Sequence, residues 1–380
     1  MSALMGACLF AFAAALLFAL VVNGWRQHFT DAMNAKPTVS VERDEPMLTL
    51  IIPARNAAET LPALLQDIHA QRYPKERTEV LVIDDGSEDN TTTFVRDMMR
   101  MWPQLRVLKG DGVGKKAAIT QGVREATGAL IILTDADARC GADRVRRIAA
   151  HWRATNADLV LLPVRTEGLG GFLGQVQEDE QAALLAAGAA SAIGGSPLLA
   201  NGANMAFTKE AFIAVHGYDG DRFASGDDMF LLERMKRAGK HISFLLDREV
   251  MVTVEAERVV AAFWQQRLRW AGKMRAIRGA GTWVGVLGLL LPWFLVFASG
   301  WSVPHVHIGQ GLLRITLLIA SAWLLWLLSV IGLVREAKKF LGQKHSAFAT
   351  ALSLFMFSVY APVVAVVSMF ARPVWKGRRL

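Results

Sequence analysis

The stretch "ALIILTDADARCG", residues 129–141, decides how the water-soluble part of this chain folds. Its first five residues, Ala129 to Leu133, are uncharged, which is typical of a strand buried on both faces of a sheet. Two carboxylates, Asp135 and Asp137, follow directly. Because buried ions cost several kcal/mol unless something pairs with them, the stretch predicts a buried strand that ends in a binding turn.

The surrounding sequence alternates between strand-like and helix-like segments. Strands are predicted at 47–53, 79–87, 105–108, 129–133 and 157–164, and helices at 57–71, 91–101 and 115–127. Continuously apolar strands separated by helices indicate a largely parallel sheet covered on both faces, which is an α/β fold. Ligands of such sheets bind beyond the carboxyl ends of the strands, where this chain places "PARN", "DDGS" and "TDAD".

The acidic pair at the end of the fourth strand suits a divalent cation. Mg²⁺ and Mn²⁺ prefer carboxylate oxygens and usually keep waters and substrate phosphates as their other ligands. We therefore predict that Asp135 and Asp137 bind Mg²⁺ or Mn²⁺, which in turn binds a diphosphate. The "DDGS" cluster, taken alone, is equally typical of an ordinary turn.

Four uncharged runs, 2–22, 280–303, 315–334 and 346–371, suit a membrane. Each is about 20 residues or longer, enough to cross a hydrocarbon core of roughly 30 Å. The first run is interpreted as a signal-anchor, since no Lys or Arg precedes it.

The basic residues around these runs predict an orientation. Arg26 and Lys36 follow the first run, and the basic segment 335–344 suits the cytoplasm, which places the soluble domain on the cytoplasmic side. A simple fourth crossing would leave the basic tail outside, against the same rule. Either Pro362 marks a broken or re-entrant segment, or one C-terminal run lies in the membrane interface.

Composition excludes two classes of protein. The net charge is +8, but the densest basic clusters border apolar runs, where they meet anionic lipid head groups. No recognition helix, zinc-ligand spacing or base-stacking motif accompanies them, so a nucleic-acid partner is not expected. Two cysteines do not make a disulfide framework.

Taken together, the motifs resemble those of the membrane-bound family-2 glycosyltransferases of the GT-A fold, which include cellulose, hyaluronan and poly-N-acetylglucosamine synthases and several lipid glycosyltransferases. Seven motifs carry this resemblance: "IIPARN" (51–56), "VIDDGS" (82–87), "GKKAAI" (114–119), "TDADA" (134–138), "NGANMAF" (201–207), "SGDDMFL" (225–231) and "QRLRW" (266–270). The resemblance implies a Rossmann-like nucleotide-sugar domain with flanking transmembrane helices. It also implies inverting, metal-dependent transfer from a nucleotide sugar, with UDP as the expected nucleotide.

The resemblance and the apolar runs together predict a multi-pass protein of the inner (cytoplasmic) membrane. Its parts are a signal-anchor (1–23), a cytoplasmic GT-A domain (40–262), an amphipathic interfacial helix (263–278), membrane segments (280–371) and a basic tail (372–380). The interfacial helix is expected because residues 263–278 contain five basic residues and no acidic one.

For the donor, the resemblance implies that Pro53 and Arg55 flank the uracil or ribose and that Asp85 accepts a hydrogen bond from the base. Asp84 is assigned less specifically, because it also suits a turn cap. Lys115 is expected to reach the sugar or diphosphate as a point charge, the alternative being an exposed first-turn lysine.

The resemblance also implies different roles for the two aspartates of the acidic pair. Asp137 is expected to be the direct metal ligand, and Asp135 is expected to contact the ribose or a metal-bound water.

For the acceptor, the resemblance makes Asp228, the last residue of "GDD", the general base. Asp227 stands where many relatives have Glu and is expected to orient the base; an N-cap role is the alternative for both aspartates.

In the "QRLRW" motif, Arg269 is expected to face the diphosphate, Trp270 to offer a flat surface to the acceptor, and Gln266 to orient them. Asn201, Asn204 and Met205 are expected to border the acceptor pocket.

The acceptor is predicted to be a lipid or a lipid-linked glycan, partly because the Ala-rich segment 182–195 adds apolar surface. A processive polysaccharide synthase is the alternative: the "QRLRW" motif favours it, whereas the small number of apolar runs disfavours it. A non-catalytic nucleotide-sensing scaffold would lack the base or the acidic pair, and a nucleotidyltransferase would not need "QRLRW" beside a membrane. The sequence does not identify the sugar, the acceptor, protein partners or the oligomeric state.

Overall fold

The structure is a computed structural model that describes residues 2–35, 45–221, 226–274, 280–302 and 310–371, with the short pairs 374–375 and 378–379. The predictions for Ser225, for residues 275–278 of the amphipathic helix and for most of the basic tail lie outside the described residues.

Strands and helices alternate along the soluble part of the chain. The strands are β1 (Leu48–Ala54), β2 (Thr78–Asp84), β3 (Leu105–Lys109), β4 (Leu130–Thr134), β5 (Arg139–Cys140), β6 (Leu159–Leu161), β7 (Val164–Glu167), β8 (Asn204–Thr208), β9 (Ile242–Phe244) and β10 (Val252–Glu255). The helices are α1 (Ser2–Asn34), α2 (Leu61–His69), α3 (Thr91–Met99), α4 (Lys115–Glu125), α5 (Arg144–Thr155), α6 (Gly171–Ile193), α7 (Lys209–Ala214), α8 (Asp227–Arg237), α9 (Val260–Met274), α10 (Ala280–Ser302), α11 (Gln310–Leu341) and α12 (Ala347–Val367).

The main sheet has the strand order β3-β2-β1-β4-β8-β6-β9. Its neighbours pair in parallel except at β8, which runs antiparallel to both β4 and β6. The prediction of an α/β fold with a largely parallel sheet is therefore confirmed. The segment predicted as one strand at 157–164 is divided between β6 in this sheet and β7 in a small second sheet with β5 and β10.

Both faces of the main sheet are buried. In β1, Leu50 and Ile52 pack on one face with α2, whereas Ile51 between them packs on the other face with Ile119 of α4. Strand side chains alternate between the two faces, so a strand covered on both sides must be apolar throughout. Because β1 pairs in parallel with both β2 and β4, the carboxyl ends of all three strands lie at one edge.

The apolar runs form helices of the kind found in membrane proteins. Three of the described helices are long and apolar enough to cross a bilayer, at Met5–Asn34, Ile315–Leu341 and Ala347–Val367, and Gly285–Gly300 is a shorter apolar helix. Helix α1 continues past the predicted anchor to Asn34 because its last turns also pack: the rings of Phe29 and Phe340 lie 5.9 Å apart.

Helix α6 joins the soluble domain to the membrane helices. Ala182, Ala186 and Ala189 are buried in the same apolar cluster as residues of α1 and α11. Lys338 of α11 is fully buried, and its Nζ lies 2.9 Å from an Asp179 carboxylate oxygen of α6. Much of the Ala-rich segment therefore packs against membrane helices.

Candidate active site

A cavity of about 1400 Å³ opens at the carboxyl ends of β1, β2 and β4. The residues predicted for the donor, the metal, the general base and the "QRLRW" motif line it: Pro53, Arg55, Asp85, Lys115, Asp135, Asp137, Asp227, Asp228, Gln266, Arg269 and Trp270. The ends of the strands and the start of α4 bring the first six together, and α8 and α9 bring the others from later in the chain. The arrangement unites residues of six separate sequence motifs around one space.

The "DDGS" turn lies at the end of this cavity where the nucleoside was expected. Arg55 is buried, and its Nη1 donates to the carbonyl oxygens of Asp85 and Gly86 at 2.8 and 2.7 Å. The Asp85 carboxylate accepts the backbone N–H of Gly114 at 3.0 Å. Asp84 accepts the N–H of Ser87 at 3.0 Å, which is the turn-capping role that the sequence left open.

Lys115 lies between the two acidic clusters. Its Nζ is 2.7 Å from Asp135 and 3.0 Å from Asp227, so it is not the exposed first-turn lysine of the alternative. Burial alone would lower the pKa of Lys115, but the two carboxylates outweigh burial and raise that pKa. Lys115 is therefore a fixed positive charge at neutral pH.

The acidic pair after β4 lies in the wall of the cavity. Burial, together with the nearby charge of Asp137, raises the pKa of Asp135, although Lys115 opposes the shift. Among the residues that the structure describes, no three His, Cys, Asp or Glu side chains are grouped to bind a metal. Two carboxylates beside an open cavity nevertheless fit Mg²⁺ or Mn²⁺, which complete their coordination with phosphate oxygens and water.

The "GDD" motif begins α8, and its aspartates face the loop that precedes β8. Asp227 binds Lys115, whereas Asp228 accepts the backbone N–H of Met229 at 2.7 Å and that of Gly202 at 3.3 Å. A Cβ added at Gly202 would overlap the Asp227 carboxylate and lie 3.0 Å from the Lys115 Nζ, so this position has no room for a side chain. Glycine at 202 thus lets the loop approach both acidic clusters.

Helix α9 closes the opposite side of the cavity. Arg269 interacts through its charge with Asp135, Asp137 and Asp227. Burial lowers the pKa of Arg269, and Asp135 is the strongest of the acids that oppose this shift. The Gln266 amide donates to the Glu257 carboxylate at 3.0 Å. The side chains of the "QRLRW" motif thus lie opposite the acidic pair.

The residues that the sequence analysis missed include three that line the cavity and contact one another: Glu180 of α6, Arg267 of α9 and Tyr360 of α12. Arg267 forms an ion pair with Glu180, which also accepts the Tyr360 hydroxyl at 2.9 Å. Arg267 occupies an unassigned position inside "QRLRW". Glu180 lies in the polar stretch "QVQEDEQ" (175–181), which was not assigned a role, and Tyr360 lies in an apolar helix that gave no signal for a polar site.

Two residues expected at the acceptor pocket are placed elsewhere. Met205 is buried in the sheet, and Asn204 is fully buried with its amide bonded to the carbonyl oxygens of Pro163 and Val250. Its side-chain oxygen accepts from Arg144 at 2.7 Å. The prediction was wrong for both because they begin strand β8, which turns their side chains into the core; Asn201, which precedes the strand, does line the cavity.

Comparison with known proteins identifies the fold's relatives. Residues 49–214 match the family model described as "Glycosyl transferase family 2". The beta-monoglucosyldiacylglycerol synthase of Synechocystis is 25% identical over 240 residues, covering 60% of this chain and 47% of that protein. The poly-beta-1,6-N-acetyl-D-glucosamine synthase of Staphylococcus aureus is 24% identical over 242 residues, covering 63% and 57%.

A third relative, glycosyltransferase AglE of Haloferax volcanii, is 32% identical over 116 residues, covering 30% of this chain and 38% of that protein. The chain thus spans about half the length of the curated relatives it matches.

Among solved structures, a mannosyltransferase from Pyrobaculum calidifontis in complex with GDP-Man and Mn²⁺ superimposes with a TM-score of 0.59. At 18% identity, with 94% of this chain and 99% of that chain covered, it shows a shared fold.

Proposed function

Because this chain carries a family-2 glycosyltransferase domain with the GT-A fold, we propose that it transfers a sugar, with inversion, from a nucleotide sugar to a lipid or lipid-linked acceptor. The expected donor is a UDP-sugar. The protein is proposed to lie in the inner membrane with its catalytic domain in the cytoplasm.

One observation carries the choice of acceptor: the cavity reaches from the acidic clusters to the membrane helices. Its wall includes Asp135 and Asp228 of the soluble domain, and it also includes Leu289 of α10 and Ala361 and Val364 of α12. A water-soluble acceptor would not need apolar helices beside the reacting groups. An acceptor with a hydrocarbon part would be in contact with both.

The proposed reaction forms one bond and breaks one. The acceptor hydroxyl oxygen attacks the anomeric carbon from the face opposite the diphosphate, and the bond between that carbon and the diphosphate oxygen breaks. Asp228 takes the proton of the hydroxyl. Asp227 is proposed to orient this base through the α8 turn that the two residues share.

The donor side stabilises the leaving diphosphate. Lys115 and Arg269 bring positive charge to the same part of the cavity as Asp135. Asp137 and Asp135 would hold a divalent cation, which when bound neutralises charge on the departing diphosphate. Pro53, Arg55 and Asp85 are proposed to bind the nucleoside, Trp270 the acceptor, and Gln266 to orient Trp270 and Arg269.

The activity can be tested directly with a panel of substrates. We expect the detergent-solubilised protein to transfer radiolabel from one of several nucleotide sugars, UDP-glucose and UDP-N-acetylglucosamine among them, to an extractable membrane lipid. Thin-layer chromatography would show a lipid carrying one or a few sugars. A long water-soluble polymer would instead support the processive synthase, which the Staphylococcus aureus relative favours, and nucleotide binding without transfer would support a scaffold.

The proposed orientation has its own test. A cysteine at Lys344, an exposed residue just past the end of α11, is expected to be protected from a membrane-impermeant maleimide in intact cells and to react after permeabilisation. A cysteine at Ser2, at the start of the first apolar run, is the control and should react without permeabilisation. Labelling of position 344 in intact cells would reverse the orientation.

A further inference from the structure

A buried polar cluster lies where the catalytic domain meets the membrane helices. The side chains of Arg267 and Glu180 are only 6% and 10% exposed. The Arg267 Nε and Nη2 both bond the same Glu180 oxygen, at 2.9 and 2.5 Å, and the Tyr360 hydroxyl donates to that oxygen as well. We call these three residues the Glu180 cluster; they connect α6, α9 and α12.

The same arginine fixes the aromatic residue that the proposed function assigns to the acceptor. The Arg267 guanidinium lies over the Trp270 ring, 4.4 Å from its centroid, and over the Phe263 ring at 4.3 Å. The Phe263 ring in turn lies 5.3 Å from the Tyr360 ring. Stacking of a planar guanidinium on two rings restrains them, which a lysine ammonium in the same place would do poorly.

From this geometry we propose that Glu180, Arg267 and Tyr360 are positioning residues for the acceptor. Glu180 fixes the guanidinium of Arg267, the guanidinium fixes the plane of Trp270, and Tyr360 ties both to α12. The inference rests on the proposed function, because it is the acceptor-binding role of Trp270 that gives the arrangement its purpose. The donor half of the cavity is not part of it.

Stability alone is a poor explanation for this cluster. Removing an ion pair from water costs as much as, or more than, the attraction returns, and apolar side chains of similar size usually stabilise a protein at least as well. All three members line the cavity, and each belongs to a different helix of its wall. A buried charge pair at such a junction specifies one relative position of the helices, which an apolar contact does not.

The test measures α9 itself and the use of the acceptor. Glu180→Gln removes the charge, and Tyr360→Phe removes a single hydroxyl and is expected to fold normally. Hydrogen exchange of the 263–274 peptide should become at least about tenfold faster in Glu180→Gln, since one hydrogen-bonded charge is lost. The KM for dioleoylglycerol in mixed micelles should rise by a similar factor, and by less in Tyr360→Phe, while the Kd for UDP stays within about twofold.

Asp247→Asn is the matched control. Asp247 forms an ion pair with Arg147 at 2.8 Å, is similarly buried and does not line the cavity. This substitution should lower the melting temperature without changing exchange in 263–274 or the acceptor KM. If Glu180→Gln and Tyr360→Phe behave like the control, or raise exchange throughout the protein rather than in α9, the inference is wrong. If the unaltered protein transfers no sugar at all, the proposed function fails, and the exchange of α9 still decides whether this cluster positions the helix.

Discussion

Replacing Asp228 by Asn is expected to lower the rate of sugar transfer by about 10²–10⁴-fold, the usual contribution of a general base. Asn has nearly the shape of Asp but cannot take the proton of the acceptor hydroxyl. The Kd for UDP should change little, because Lys115, on the donor side, pairs with Asp135 and Asp227 rather than with Asp228. Transfer rate, UDP affinity and melting temperature must be measured on the same preparation.

The hydrogen bonds of Asp228 predict that the substitution also affects stability. One Asp228 oxygen accepts the backbone N–H of Met229 and the other accepts that of Gly202, so Asn, which has a single accepting oxygen, keeps only one of these bonds. A modest fall in melting temperature is therefore expected along with the loss of turnover. Asp219→Asn, at an exposed carboxylate nearby, is the control and should leave both values unchanged. A folded Asp228→Asn protein with normal turnover would end the assignment of the base.

The second large effect expected is complete loss of transfer in EDTA, with recovery on addition of Mn²⁺ or Mg²⁺. This effect is expected because the carboxylates of Asp135 and Asp137 lie together, and burial and the charge of Asp137 raise the pKa of Asp135. Binding of a cation to this pair also predicts that Mn²⁺ strengthens the binding of UDP, which calorimetry measures without any turnover. In Asp137→Asn that strengthening should fall by about 10–100-fold, typical of damage to a metal site.

A surface carboxylate provides the comparison for the metal experiment. Asp97 is 65% exposed on α3, and Asp97→Asn should preserve the effect of Mn²⁺ on UDP binding. Full transfer activity in chelator would remove the metal from the mechanism. Equal UDP affinity with and without Mn²⁺, in protein that still transfers sugar, would show that the cation is not held with the diphosphate.

The sheet and its binding edge were predictable because both follow from local sequence. Apolar strands such as β4 carry their own signal, and the polar residues that follow them must meet at one edge when the strands are parallel. Residues as distant as Asp135 and Trp270 were placed together only through the family resemblance. In the structure, both residues line the same cavity.

Contacts between distant elements were not predictable. Lys115 bridges Asp135 and Asp227 because α8 begins beside the end of β4, which no spacing in the sequence reveals. The burial of Asn204 depends on the antiparallel pairing of β8 with β4. Strand β8 was not predicted, because its apolar run is too short to indicate a strand. The Glu180 cluster combines a polar stretch of α6, the basic segment of α9 and the apolar helix α12, and no spacing in the sequence shows that these three meet.

The burial of α6 against the membrane helices has a consequence for how the protein is made. Ala186 and Ala189 are covered by α1 and α11, and Asp179 is neutralised by Lys338, which is synthesised 159 residues later. At typical elongation rates that interval is on the order of ten seconds. Throughout it, α6 lacks its contacts with α11, and Asp179 lacks the Lys338 ammonium that pairs with it. Tyr360 and Val364 of α12 line the cavity and are made later still, so the cavity wall is complete only after α12 has been synthesised.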